Sequence, residues 1–295
     1  MGQHLGSPTL PAEKPNLADL RKEIDRIDDA LHDLLMQRAE LTASVAASKP
    51  GGTGTVRPAR EASILRRLAA RHSGTFPAAV IARIWREIIS ANTALQGPFT
   101  IAVLASGEHG ALMQAARAFY GQETAIAHFE TPSSVLRAVG DGSATVGVLP
   151  LPAIDAKEPW WHLIARNGEK VPRVIARLPF APATVPEIEG FAVSLAPNEA
   201  SGQDRSLLVV ETVEQLSRSS LRKQMTDAGL SVLEMQSWEG QGQHLTLTEV
   251  EGFVSADAAA VQDLAADEAI TQVVVIGAYA VPLTPAQLGG GKKSP

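Results

Sequence analysis

The sequence predicts a multidomain protein: an all-α segment of three helices over residues 16–97, an α/β region over 98–200, and a ferredoxin-like α+β domain over 201–284. Three observations predict this division. Apolar residues recur at the 3,4 spacing of amphipathic helices as far as Gly97. The pattern then changes to short alternating strands and helices, which indicates an α/β unit. The last part follows the order βαββαβ of ferredoxin-like domains.

The composition is that of a globular protein without thiol chemistry. The 295 residues are 45% hydrophobic, the formal net charge is −6, and cysteine is absent, which excludes disulfides and thiolate metal sites. The seven histidines lack ligand spacing, so we expect no metal. A net negative charge argues against nucleic acid as the main partner. A small anionic substrate would therefore be captured by local cations.

The two ends of the chain are expected to be disordered tails. Residues 1–15 are polar and contain no apolar run behind a basic start, so no secretory signal is visible. Residues 285–295 are rich in glycine and lysine. Nowhere does the chain approach the run of about 20 apolar residues that a membrane helix needs. We therefore expect a cytoplasmic protein.

The first predicted helix is unusually long. It runs from Asn16 to Lys49, where Pro50 disfavours further helix, and its length of about 33 residues corresponds to roughly 50 Å. Two shorter helices, from Pro58 and from Pro77, cannot cover its apolar stripe from end to end. We expect an intertwined homodimer; the alternative is that the C-terminal section covers the stripe. The stripe consists of Leu20, Ile24, Ile27, Leu31, Leu34, Leu35, Leu41 and Val45.

Polar side chains point toward the apolar faces of all three helices. At about 100° per residue, Arg38 and Lys49 fall inside the first stripe, whereas Arg21 lies about 100° away from it. Burying an unpaired charge is costly, so the pattern indicates either a structural ion pair with the second helix or a buried anion-binding site. Lys49 could also be a favourable cation at a helix C-terminus. The second helix contributes Glu61 on its apolar face and Arg60 at the edge of that face. The third helix contributes Asn92 and Gln96.

These residues stand in a pattern that resembles the helical chorismate mutases over the whole segment from Asn16 to Gln96. That family is an intertwined dimer of three-helix chains with two equivalent sites. The matching strings are Leu20-Arg21-Lys22-Glu23-Ile24-Asp25-Arg26-Ile27-Asp28, Leu34-Leu35-Met36-Gln37-Arg38, Lys49, Arg57-Pro58-Ala59-Arg60-Glu61, and Ile88-Ile89 with Asn92 and Gln96.

The resemblance implies a role for each polar residue. Arg38 and the partner subunit's Arg21 would hold the two carboxylates of chorismate. Lys49 and Gln96 would donate to the ether oxygen whose bond breaks, and Glu61 would accept from the ring hydroxyl. The off-stripe direction of Arg21 agrees with service to a neighbour's site.

Three further residues complete the implied pocket. Arg60 would line it, Arg57 stands where the family has an Asp that acts mainly through its backbone, and Asn92 stands where it has a Ser. The reaction, chorismate to prephenate, is unimolecular and needs no nucleophile, metal or cofactor. It requires the compact conformer of a dianion and stabilisation of charge on the ether oxygen. Planar arginines suit the carboxylates.

The second half resembles the bifunctional chorismate mutase and prephenate dehydratase, but has lost that family's motifs. The strand 145–150 leads into Leu151-Pro152-Ala153 where a Glu and an Asn are expected, and Glu189-Gly190-Phe191 replaces a Thr-Arg-Phe signature. We therefore interpret 98–200 as a degenerate dehydratase-like region.

The last domain resembles an ACT regulatory domain that has also changed. Leu216-Ser217-Arg218-Ser219 and Gln236-Ser237-Trp238-Glu239 stand in place of the two motifs that bind phenylalanine. Two alternatives stay open for this domain: it binds an amino-acid effector other than phenylalanine, or it forms a dimerisation surface. The resemblance implies that the protein is a chorismate mutase of phenylalanine and tyrosine biosynthesis. The alternatives are a bifunctional mutase and dehydratase, and a non-catalytic regulator that senses a metabolite.

Overall fold

A computed structural model describes residues 16–47, 56–105, 110–153, 159–182, 188–213 and 216–288. The chain divides into two compact units, Met1–Pro50 and Gly51–Pro295. The predicted tail over 1–15 and the predicted site residue Lys49 lie outside the described residues. Of the predicted tail over 285–295, Ala286–Leu288 form a short 3₁₀ helix, and 289–295 lie outside the description.

The described part of the first unit is one helix, α1, Leu17–Ala47. It begins after Asn16, whose Oδ1 accepts a hydrogen bond from the backbone N–H of Ala18 at 3.1 Å and so satisfies a free donor of the first turn. Its sequence contains neither Gly nor Pro, which allows 31 helical residues without a break. The apolar side chains of its stripe are 39–69% exposed in the single chain.

The second unit begins with a helical hairpin of α2, Pro58–Arg71, and α3, Ala78–Ala94. Pro58 occupies the first turn of α2, where its missing N–H costs no hydrogen bond. The buried faces of both helices belong to the same hydrophobic core as the sheet that follows, to which they contribute Ala62, Leu65 and Ala82.

Three parallel strands open the sheet, in the order β2-β1-β3. They are β1, Thr100–Leu104; β2, Ala125–Phe129; and β3, Val146–Pro150, and the helices α4, Gly110–Tyr120, and α5, Pro132–Gly140, connect them. This part confirms the predicted βα alternation. Two further strands, β4, Arg173–Leu178, and β5, Gly190–Ser194, are antiparallel: β5 pairs with β3, and β4 pairs with β5.

The remaining strands are antiparallel to one another and lie in the order β9-β6-β8-β7. The observed order of elements is the βαββαβ that the sequence predicts. The elements are β6, Asp204–Thr212; α6, Arg218–Asp227; β7, Val232–Gly240; β8, Gln243–Glu251; α7, Ala259–Ala265; and β9, Ile270–Ala280.

All nine strands of the described residues form one mixed sheet, β2-β1-β3-β5-β4-β9-β6-β8-β7. The halves join where Val174 of β4 lies parallel to Gly277 of β9. Gly277 has a φ of 147°, and a Cβ built there would lie 2.1 Å from the carbonyl oxygen of Val174, so only glycine permits this approach. The division that the sequence places at residue 200 lies within this compact unit, and the domain boundaries stay predictions.

Candidate functional site

The residues predicted to form the site fall in both compact units. Arg21 is exposed and Arg38 is partly buried on α1, whereas Lys49 lies outside the described residues. The second unit holds the other five, and Glu61 and Asn92 are its buried members. The remaining three are Arg57, Arg60 and Gln96.

Glu61 forms a buried ion pair on the inner face of the α2–α3 hairpin. Its Oε2 accepts a hydrogen bond from Arg86 Nη1 at 2.9 Å, and the two side chains are 12% and 8% exposed. The backbone N–H of Arg57, one residue before α2, also donates to the carboxylate. One acid is thus bonded by the neighbouring helix and by the start of its own helix.

Two aromatic rings enclose the guanidinium of Arg86. Its Cζ lies 3.9 Å from the ring centroid of Phe119 on α4 and 5.3 Å from that of Phe180, which follows β4. Cation–π contacts of a desolvated guanidinium contribute about 2 kcal/mol. Arg86 therefore has an anionic partner on one helix and aromatic partners from the sheet region.

Burial dominates the protonation equilibria of this cluster. Burial raises the pKa of the Glu61 carboxyl, whereas Arg86 and the Arg57 N–H lower it by a smaller amount. Burial also lowers the pKa of Arg86. Burial also raises the pKa of Tyr120, with the negative charge of Glu61 adding to the effect. The Tyr120 hydroxyl has no hydrogen-bond partner among the described residues. Removal from water disfavours the charged form of every member.

The two amides of α3 bond mainly to their own helix. Asn92 Nδ2 donates to the carbonyl of Ile88 at 2.7 Å, and Gln96 Nε2 donates to the carbonyl of Asn92 at 3.1 Å. The buried Oδ1 of Asn92 has no partner among the described residues. An unpaired buried acceptor costs about 1–3 kcal/mol. A donor from a bound ligand would remove that cost, so this oxygen is available for binding.

The arginines at the start of α2 are more exposed. Arg57 binds Glu199 through two nitrogens, with Nη2 at 2.8 Å from Oε1 and Nε at 3.3 Å from Oε2. Arg60 is exposed. The side chain of Arg57 therefore bonds to the segment before β6, while its backbone serves Glu61.

Sequence reasoning missed Arg86 and Tyr120. The available signal for Arg86 was its spacing: the residues four positions before and after it, Ala82 and Ser90, are both small and both buried. A row of small residues at this spacing lies on one helix face and allows close packing. This spacing indicates that the face of α3 that carries Arg86 is buried.

The position where the dehydratase signature is missing has its own ion pair. Glu189 accepts from Arg177 Nη2 at 3.0 Å through both oxygens. Arg177 also contacts the hydroxyl of Tyr279 at 3.4 Å, and that hydroxyl donates to Glu249 at 2.9 Å. The acid in this place belongs to a hydrogen-bonded chain of side chains that links β4, β9 and β8.

Comparison with known families adds to this geometry. Residues 20–97 match the family described as chorismate mutase type II. This segment is similar to a chorismate mutase type II domain. It contains every one of the residues predicted to form the site, from Arg21 to Gln96.

Curated proteins are also similar to part of this chain. The bifunctional chorismate mutase/prephenate dehydratase of Pseudomonas aeruginosa is 31% identical over 147 residues, which are 48% of this chain and 40% of that protein. The chain thus spans about two fifths of the length of the curated relatives it matches.

Two solved structures are similar at lower identity. GqqA, described as a novel type of quorum quenching acylase, is 19% identical with a TM-score of 0.47 and covers 65% of this chain and 98% of its own. Prephenate dehydratase from Streptococcus mutans is 12% identical with a TM-score of 0.44, with 62% and 98% covered.

The described residues offer no candidate for a membrane-spanning helix or for a metal site. None of their helices is both long and apolar enough to cross a membrane. None of their groups of His, Cys, Asp and Glu has three or more members arranged to hold a metal ion.

Proposed function

We propose that the protein is a cytoplasmic isomerase that rearranges chorismate to prephenate in aromatic amino acid biosynthesis, without a cofactor. The observation that carries this proposal is the family match over 20–97, a range that spans all of the residues predicted to form the site. The reaction needs binding, orientation and charge stabilisation, and no covalent step by the protein. Two arginines, a lysine, an amide and a carboxylate supply these functions.

Each residue has a part in this proposal. Arg38 and the partner subunit's Arg21 bind the carboxylates, and Lys49 and Gln96 donate to the ether oxygen as charge develops on it. Glu61 accepts from the ring hydroxyl. The available Oδ1 of Asn92 supports a polar pocket on α3, which Arg57 and Arg60 border at the start of α2.

We further propose a homodimer formed through α1. Leu31 and Leu34 lie in the apolar stripe and are 55% and 60% exposed in the single chain. A contiguous apolar face of this kind marks an interaction surface, and a second copy of α1 offers a matching one. Arg21 would then reach the site of the other subunit.

In the same proposal the second half has no dehydratase chemistry. Residues 201–284 would act as an ACT-like domain that binds an effector or joins subunits, and the βαββαβ order supports this. Glu189, which replaces the Thr of the dehydratase signature, is bonded to Arg177, which supports a structural role for it.

The test uses purified full-length protein and chorismate, with both chorismate loss and phenylpyruvate formation measured. Loss without phenylpyruvate supports the proposal, and loss with phenylpyruvate favours a bifunctional mutase and dehydratase. No loss contradicts both and leaves a metabolite-sensing regulator. Lys49→Ala and Arg38→Ala should each lower the rate by about 100-fold to 1000-fold, and full turnover in either variant would exclude the assigned site.

Mixing inactive variants tests whether Arg21 serves the other subunit. Arg21→Ala and Arg38→Ala, unfolded and refolded together, should regain about a quarter of the wild-type rate, because half of the dimers are mixed and each has one intact site. Refolding each variant alone is the control. If the mixture regains no activity, Arg21 serves the site of its own chain.

A further inference from the structure

The Glu61–Arg86 pair offers more than the mutase pattern requires. The resemblance assigns a role to Glu61 and none to Arg86, yet Arg86 makes the shortest charged contact to the acid, 2.9 Å from Nη1 to Oε2. A second donor, the Arg57 N–H, fixes the carboxylate from its own helix. The carboxylate thus has donors from α3 and from the start of α2.

We propose that Arg86 is a positioning residue, which fixes the Glu61 carboxylate for the substrate hydroxyl and is itself held by aromatic side chains outside the mutase segment. This inference rests on the proposed mutase function. Arg86 acts through Glu61 and does not contact the substrate. A rigidly held acceptor lowers the cost of reorganisation during the reaction.

The support for Arg86 comes from beyond residue 97. Phe119 lies 3.9 Å below the guanidinium and Phe180 lies 5.3 Å away, and both rings are nearly fully buried. The ring of Phe119 also packs edge-on against Tyr120, with centroids 4.8 Å apart. The α/β region therefore sets the position of a residue that orients the mutase acid.

The charge of Arg86 also controls the protonation of Glu61. Among the described residues of the second unit, three groups face the acid: Arg86 from α3, Tyr120 from α4, and the Arg57 N–H at the start of α2. Burial raises the pKa of Glu61, and Arg86 is the largest influence that lowers it. Without Arg86 the acid would gain its proton at higher pH and lose its capacity as an anionic acceptor.

The experiment compares kcat and KM for chorismate against pH in wild type, Arg86→Met and Arg86→Lys. Met retains most of the apolar volume without the charge, and Lys retains the charge without the planar fork. In Arg86→Met we expect kcat to fall about 10-fold to 100-fold, a typical size for loss of an orienting interaction, with little change in KM. The acid limb of kcat/KM should move up by about one pH unit or more, and Lys should restore that limb.

Arg83→Met is the matched control, because Arg83 lies on the same helix and is exposed; it should keep the wild-type profile. An unchanged acid limb and kcat in Arg86→Met would overturn the inference alone, since a purely structural pair changes stability but not the profile. A wild type that does not convert chorismate would instead overturn the proposed function, and with it the role of Arg86. If Arg86→Met fails to fold, Phe119→Leu keeps the ion pair and should lower kcat in the same direction; an unchanged kcat there overturns the inference.

Discussion

Arg66 Nη1 donates to Ser201 Oγ at 2.8 Å, and this bond joins α2 to the segment that precedes β6. The same guanidinium donates to the carbonyls of Gln203 and Val281 at 2.7 and 2.9 Å. One side chain of the mutase segment thus bonds to both ends of the βαββαβ half. Together with Arg86, it attaches the α2–α3 hairpin to the sheet.

Replacement of Arg66 tests how strongly this attachment contributes to stability. Arg66→Met should lower the free energy of unfolding by about 2 kcal/mol, since hydrogen bonds to a charged group contribute about 1.5–3 kcal/mol each and water can replace some of them. Urea titration measures the change. Arg67→Met, at an exposed neighbouring position, is the control. Equal stability of the two variants would show that the Arg66 contacts contribute nothing.

A double-mutant cycle measures how strongly Glu61 and Arg86 depend on each other for the stability of the fold. Arg86→Met alone should destabilise the protein by about 3–5 kcal/mol, because it leaves the Glu61 carboxylate buried without its cation. Glu61→Gln combined with Arg86→Met should recover most of that loss, since burial disfavours the charged form of both partners. Thermal unfolding of the four proteins gives the coupling. Additive effects would mean that the two side chains do not interact.

The two tyrosines of the chain, Tyr120 and Tyr279, provide a pH test. Burial raises the pKa of both, that of Tyr279 to about 12. Tyrosinate absorbance of the folded protein should therefore stay flat near pH 10, where an exposed tyrosine is half ionised. The neutral hydroxyls stabilise the fold below that pH, and this contribution is lost as the pH rises through about 12. A tyrosinate signal near pH 10, with circular dichroism still native, would contradict this burial.

A charge in the apolar stripe of α1 tests the proposed dimer. Leu31→Lys should dissociate the dimer and remove mutase activity together, because an unpaired ammonium would enter an apolar interface. Asp33→Lys, on the opposite face of α1, changes the net charge more than Leu31→Lys does. It should leave both the dimer and the mutase activity unchanged. Light scattering with sedimentation velocity measures the mass. A dimer that persists in Leu31→Lys would exclude this face as the interface.

How much of the site could be predicted varies with the residue. Direction counting on α2 placed Glu61 toward the interior, and Glu61 is buried, because the direction of a side chain depends only on its own helix. Its cation could not be named in that way. Arg86 approaches from another helix, and the rings that hold it are separated from it by 33 residues in Phe119 and 94 in Phe180.

The sequence by itself determined the long α1, the hairpin of shorter helices, the order of strands and helices, and the mutase pattern between Arg21 and Gln96. All of these depend on spacing within short stretches of chain. Only the tertiary structure decided that β5 enters antiparallel to β3, that Gly277 joins two sheet regions into one, and that Glu61 is paired with Arg86. These features depend on which distant segments pack together. The free energy that stabilises them comes from burial against residues far away in the sequence, which a local pattern does not encode.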